Sequence, residues 1–183
     1  MKRLALALAV SGVLALGVPT APATAAIETF EAKMVAASAA AIARDDLFEA
    51  FGPKMLRPGQ YLWRDVPASA GDERVVISLS DQLAFLYRGE TLAAVSTISS
   101  GAPETPTPTG IFRVLEKKVM HRSRKYDDAP MPFMQRIDQY GIALHAGYNP
   151  GRPASHGCVR LPKRFAAKLF AVTGVGTPIL IGA

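Results

Sequence analysis

A single cysteine, Cys158, lies in the run Ser155-His156-Gly157-Cys158-Val159-Arg160 of this 183-residue chain. A thiolate is a strong nucleophile, but a free thiol with a pKa of about 8.5 is only slightly ionised at neutral pH. A neighbouring imidazole can take the proton, and His145 and His156 are the candidates. On an extended segment His156, two residues before Cys158, would share a face with the thiol. Gly157 allows close backbone approach, and its N–H with that of Cys158 could bind an oxyanion. Arg160 offers a planar fork for a carboxylate. Ser155 reads equally as a turn residue or as a hydrogen-bond partner of the site. These types at this spacing predict a thiolate–imidazolium pair, with backbone donors for the oxyanion of a tetrahedral intermediate. A zinc site from His121, His145, His156 and Cys158 is the other chemistry available, but the spacing matches no structural zinc module. His121 otherwise reads as a loop or packing histidine.

The start of the chain explains why a lone thiol needs a purpose. Lys2 and Arg3 precede an apolar run from Leu4 to Val18, and Ala23-Thr24-Ala25 forms a small-x-small cleavage pattern. This predicts an export signal over residues 1–25, short for a membrane span, with no stable span after cleavage. Exported proteins usually pair their cysteines or avoid them. Cleavage would leave about 158 residues, enough for one domain, and would lower the formal charge from +6 to +4. A basic mature chain suits an anionic partner such as a wall polymer or membrane surface. No groove-reading helix, zinc module or aromatic RNA-binding signature is present, which excludes nucleic acid as a partner.

The elements that must position the thiol are short. Ile27 to Phe51 is alanine-rich and reads as a helix, with Ile27, Phe30, Met34, Ala41 and Phe48 as the packing face and Gly52-Pro53 as its stop. Arg57 to Asp72 is a linker with an edge strand at Tyr61–Trp63. Strands are then expected at 75–79, 83–87, 91–98, 111–117, 142–145, 158–161 and 178–181, with a helix from Pro162 to Val172. Gly101 to Gly110 is a rigid loop carrying Pro103, Pro106 and Pro108. Met120 to Asp138 reads as a long connection of the kind that forms lids, with Tyr126, Met131 and Phe133 as its contact groups. The expected class is mainly β, an antiparallel-rich sandwich or barrel of short strands with one or two helices, preceded by an N-terminal helical extension.

Two segments together carry a family resemblance. Ile142-Ala143-Leu144-His145-Ala146-Gly147 and Ser155-His156-Gly157-Cys158-Val159-Arg160-Leu161-Pro162 resemble the signature of the L,D-transpeptidases, the YkuD-type catalytic domain. Thr105-Pro106-Thr107-Pro108-Thr109-Gly110-Ile111-Phe112 resembles the family's turn into a central strand. The resemblance spans residues 73–183, leaving 26–72 as a helical extension and linker. It implies a YkuD-like β-sandwich of short mixed strands. It also implies Cys158 as nucleophile, His145 as proton donor and acceptor, and His156 as a residue shaping the site. The two histidines are eleven positions apart, closer than in many members, and Arg160 stands where some members have asparagine.

The resemblance implies peptidoglycan chemistry. The thiolate would cleave the bond between the L-centre of the third residue and the terminal D-alanine of a tetrapeptide stem. A neighbouring amine would resolve the acyl-enzyme, making a 3→3 crosslink. L,D-carboxypeptidase trimming, D-amino-acid exchange and attachment of a wall protein use the same intermediate. A non-catalytic wall-binding module is the alternative class. The expected partners are peptidoglycan stem peptides and, by resemblance, carbapenem-type inhibitors. The site residues are Cys158, His145 and His156, with Gly157, Ser155, Arg160, Tyr126, Met131 and Phe133 as oxyanion and substrate contacts. No metal or organic cofactor is expected. The basic run Arg113, Lys117, Lys118, Arg122, Arg124, Lys125 reads as a solvated face or as a binder of stem carboxylates. A monomer in the periplasm or elsewhere outside the cytoplasm, associated with the wall, completes the expectation.

Overall fold

The computed structural model describes residues 26–183; the expected export signal at 1–25 lies outside the described residues. The order is β1 (Ala26–Ile27), α1 (Phe30–Phe51), β2 (Tyr61–Trp63), β3 (Glu73–Ser78), β4 (Leu83–Arg88) and β5 (Thr91–Thr97). There follow β6 (Gly110–Arg113), β7 (Glu116–Arg122), β8 (Pro130–Arg136), β9 (Ala143–Ala146), β10 (Val159–Leu161), α2 (Lys163–Val172) and β11 (Pro178–Gly182). A seven-stranded sheet runs β1-β6-β11-β3-β4-β5-β2, and a four-stranded sheet runs β10-β9-β8-β7. Both are mixed, because β11 pairs parallel with β3 and β10 parallel with β9.

The larger sheet is covered on both faces, which is why its strands read as continuous apolar runs. Val75 and Ile77 of β3 face the main core with Phe112, Leu144, Leu161, Phe165 and Leu169. Val76 between them faces the other way, with Phe85, Tyr87 and Val95, under α1. Alternation along one strand therefore feeds two cores. Fully burying one such side chain contributes about 1.5–3 kcal/mol.

Helix α1 corrects one expectation. Thr29 caps it, accepting from the Ala32 N–H at 3.2 Å, and Gly52 ends it. Its packing face is not the one with the large residues. Ala32, Ala36, Ala40, Ala43 and Leu47 are buried, while Phe30, Met34 and Phe48 are 80%, 55% and 56% exposed. The cause is distance. A side chain at Gly182 of β11 would meet the Ala36 carbonyl at 2.6 Å and the Ala40 methyl at 2.9 Å. Only small residues on both sides permit that approach.

Two further expectations change. The strand expected over 111–117 is two strands in different sheets. Val114 donates to Thr177 O beside the larger sheet, and Leu115 donates to Arg136 O in the smaller one, so the chain crosses between them. The long connection expected over 120–138 is a hairpin. β7 and β8 pair antiparallel from Glu116↔Arg136 to Arg122↔Pro130, leaving only residues 123–129 as a tip.

Candidate active site

The site grows from the parallel pairing of β9 and β10. Arg160 is opposite His145, and Val159 is opposite Leu144. Cys158, two residues before Arg160, projects to the same face as Arg160 and His145. It packs against Met131, Met134 and Ala143. Cys158, His145, His156, Ser155, Arg160, Tyr126 and Met131 all line one cavity of about 800 Å³ beneath the β7–β8 hairpin.

The imidazole of His145 is buried, 7% exposed, and its Nδ1 is 2.9 Å from the Ala146 carbonyl. A carbonyl only accepts, so Nδ1 carries the hydrogen and Nε2 is left as the base. Burial pushes the His145 pKa down, the Ala146 hydrogen bond opposes this, and the charges of Arg160 and His121 lower it further. Burial pushes the Cys158 thiol up, against a hydrogen bond from the Ala143 backbone. The thiol itself donates to the Gly141 carbonyl at 3.8 Å. Both shifts favour neutral partners. The expected thiolate–imidazolium pair is thus opposed by burial of both groups.

The loop Ser155–Cys158 is held by its own turn and by the proline loop. Ser155 is buried; its Oγ donates to the Cys158 carbonyl and accepts the Gly157 N–H at 3.1 Å. The Gly157 N–H expected at the oxyanion is thus engaged within the turn. Gly157 has φ of +108°, and a side chain there would strike Ile142 Cδ1 at 2.6 Å. The buried Thr107 Oγ1 donates to the Gly157 carbonyl and accepts from Gly101 N–H, both at 2.8 Å. His156 is exposed at the cavity rim, stacked on Tyr126.

The family model of the L,D-transpeptidase catalytic domain, YkuD, matches residues 72–181. The chain belongs to this family. Among solved structures it is similar to an L,D-transpeptidase from Xylanimonas cellulosilytica, at 27% identity and TM-score 0.56, over 65% of this chain and 64% of that one. It is similar in fold to an L,D-transpeptidase from Mycobacterium smegmatis, at 23% identity and TM-score 0.57, over 61% of this chain and 59% of that one. A third, an L,D-transpeptidase in complex with imipenem, has 24% identity and TM-score 0.55, over 60% and 58%. The chain thus spans about three fifths of the solved chains it matches. No match is found among curated proteins.

Within this family fold, not every expected contact faces the cavity. Phe133 has φ of +55° and turns to pack on Phe170, with centroids 5.9 Å apart, outside the cavity wall. His121 goes the other way: it lies on β7 opposite Met131 and lines the cavity. The basic run divides. Arg113 bonds to Gly176 O, Lys117 to the carbonyls of Phe170 and Thr173 at the end of α2, and Arg122 to Asp128. Lys118, Arg124 and Lys125 line the cavity.

Two buried groups escaped the sequence reading. Asp138 Oδ1 accepts the N–H groups of Tyr140 at 2.9 Å and Ile142 at 2.8 Å, shaping the turn that presents Gly141 to the thiol. Thr107 ties the proline loop to the Cys158 loop. The Asp-to-Gly turn spacing at 138–141 is a legible signal for the first; the second depends on a contact fifty residues away. Among the described residues, no three of His, Cys, Asp and Glu are arranged to hold a metal ion.

Proposed function

We propose that the protein is a peptidoglycan L,D-transpeptidase acting through Cys158. The observation that carries this reading is the face shared by Cys158 and His145 across the β9–β10 pair, in one cavity. The Cys158 sulfur attacks the carbonyl carbon of the third residue of a tetrapeptide stem. Its proton passes to His145 Nε2 as the carbon–sulfur bond forms. The Cys158 N–H is the backbone donor for the developing oxyanion. The C–N bond then breaks, and the His145 proton goes to the amine of the departing D-alanine.

An amine of a second stem attacks the thioester, gives its proton to His145 Nε2, and the sulfur leaves to recover the thiol. A 3→3 crosslink results. Water in place of the amine gives a tripeptide, and a D-amino acid gives exchange. Carbapenem-type inhibitors acylate the same sulfur on this reading, in keeping with the imipenem complex of a similar structure. Such work belongs outside the cytoplasm, at the wall, consistent with the export signal read at residues 1–25.

The deciding experiment incubates the chain with purified disaccharide-tetrapeptide and analyses the products by mass. Crosslinked dimer that has lost one D-alanine, absent with Cys158→Ala, is expected. Unchanged substrate, or equal product from Cys158→Ala, would overturn the reading.

A further inference from the structure

The cavity wall contains five permanent cations, Lys118, Arg124, Lys125, Arg136 and Arg160, and one carboxylate, Glu116. Glu116 is already taken: Lys118 Nζ is 2.7 Å from it and Arg136 Nε is 3.0 Å. Arg136 also donates to the Asp138 carbonyl at 2.7 Å. The Asp138 side chain is turned inward to its own loop. Arg124 and Lys125 remain, adjacent in the hairpin tip, exposed, with no carboxylate partner among the described residues. The tip's own acids do not serve them. Asp127 and Asp128 are outside the cavity wall, and Asp128 holds Arg122 at 2.8 Å.

Cations therefore reach the cavity that holds the thiol from two elements, β10 and the hairpin tip. Arg160 stands beyond Cys158 on β10, its stem against Gly147 and its Nη1 on the Ala154 carbonyl at 3.2 Å. Arg124 and Lys125 stand on the tip, which Tyr126 joins to His156. A stem can carry two carboxylates near the scissile bond, the terminal one of the leaving residue and one on the side chain of the third residue.

We propose that Arg124 and Lys125 make the site selective for stems whose third residue bears a free side-chain carboxylate, and that stems amidated there are poor substrates. This rests on the transpeptidase reading above. The two cations pair with the ionised carboxylate and find no charge on the carboxamide. Because the tip is exposed, salt weakens the discrimination.

The test uses two synthetic tetrapeptide donors that differ only in carboxylate or carboxamide on the third side chain. The wild-type protein is expected to favour the carboxylate by about tenfold in kcat/KM, mostly through KM, with the ratio shrinking at high salt. Arg124→Ala with Lys125→Ala should abolish the ratio, and Arg124→Glu with Lys125→Glu should reverse it. Equal use of both donors by the wild type, or a ratio kept by the double alanine variant, overturns the proposal. If neither donor reacts, the transpeptidase reading fails. The preference is then measured as binding to Cys158→Ala protein, where equal affinity for the two peptides overturns it.

Discussion

The Tyr126 ring lies flat on the His156 imidazole, with centroids 4.2 Å apart and planes 11° apart. The tip that carries Tyr126 is closed on itself. Ser123 Oγ accepts the Lys125 and Tyr126 N–H groups, and Ala129 N–H returns to the Tyr126 carbonyl. The stack thus fastens a self-contained turn to the residue two before the thiol. An aromatic pair contributes about 0.5–1.5 kcal/mol. Tyr126→Ala should raise KM about two- to tenfold and increase the share of hydrolysis over crosslinking. Tyr126→Phe, which keeps the ring, should restore both values. Mass analysis of the product ratio checks this; equal loss in both variants would assign the effect to the hydroxyl.

Removal of the proposed nucleophile has a simpler outcome. Cys158→Ser should leave a folded protein without turnover, and intact mass should show no acyl adduct with a carbapenem. His145→Gln should lower the acylation rate by about 10²- to 10⁴-fold while retaining the thiol. Stopped-flow acylation measurements separate the two.

The pKa directions fix a pH profile. His145 is depressed, so Nε2 stays an available base below the ordinary imidazole range of about 6.5. The acid limb of kcat/KM should therefore fall below pH 6.5. Cys158 is raised, so its alkylation by iodoacetamide should be slow at neutral pH and accelerate only above about pH 8.5. Peroxide inactivation should follow the same rise, in place of the ready oxidation a preformed thiolate would give. For stability, the unfolded chain binds the His145 proton first as pH falls, so stability is lost from about pH 6.5 down towards the folded value. The folded chain holds the Cys158 proton longer as pH rises, so stability is lost from about pH 8.5 up towards the folded value. A thiol titration with a midpoint below 7 would contradict this account.

Helix α1 offers a contrast between equal-sized changes. Phe30→Ser and Phe48→Ser remove large apolar groups from solvent-facing positions and should change stability by about 0.5 kcal/mol or less. Ala36→Leu, against Gly182, should cost about 1–3 kcal/mol by overpacking. Urea unfolding of the three variants decides it.

Thr107 is expected to matter beyond its size. Thr107→Val leaves the Gly157 carbonyl and the Gly101 N–H without their buried partner, at a cost of about 1–3 kcal/mol. Acylation should slow with it, because the loop that carries the thiol loses its tether. Thr107→Ser keeps the hydroxyl and should recover both stability and acylation. Thermal unfolding and acylation rates measured side by side test the coupling.

The sequence was most legible where local pattern and global fold agree. The runs around Val76, Phe85 and Val95 alternate or stay apolar, and they are strands. Cys158 and His145 stand out by residue type, but their shared face follows from the pairing of β9 with β10, whereas the sequence alternation points to His156. The hairpin does not stand out, because β7 is charged with no apolar alternation and β8 carries Pro130 and Pro132, which argue against a strand. Phe133 was misassigned for a related reason: a left-handed backbone at one residue reverses the side that its neighbours' alternation predicts. The face of α1 differs from the expected one because its large apolar residues are not its core. The packing distance to Gly182, a contact across 142 residues or more, selects the alanines instead. The Gly157 N–H and the charge state of the thiol depend on burial and on turn hydrogen bonds that no spacing encodes.

Strand β11 sits between β6 and β3 and contributes to the covering of α1 as well. It is formed by residues 178–182, and its neighbours come from positions 73–78 and 110–113. An interior strand of the sheet is therefore supplied later in the sequence than both of its neighbours. Until those residues arrive, β3 and β6 have no common partner, and their inner edges are open to other strands. Such an order of assembly leaves a chain arrested before β11 exposed to strand-to-strand aggregation.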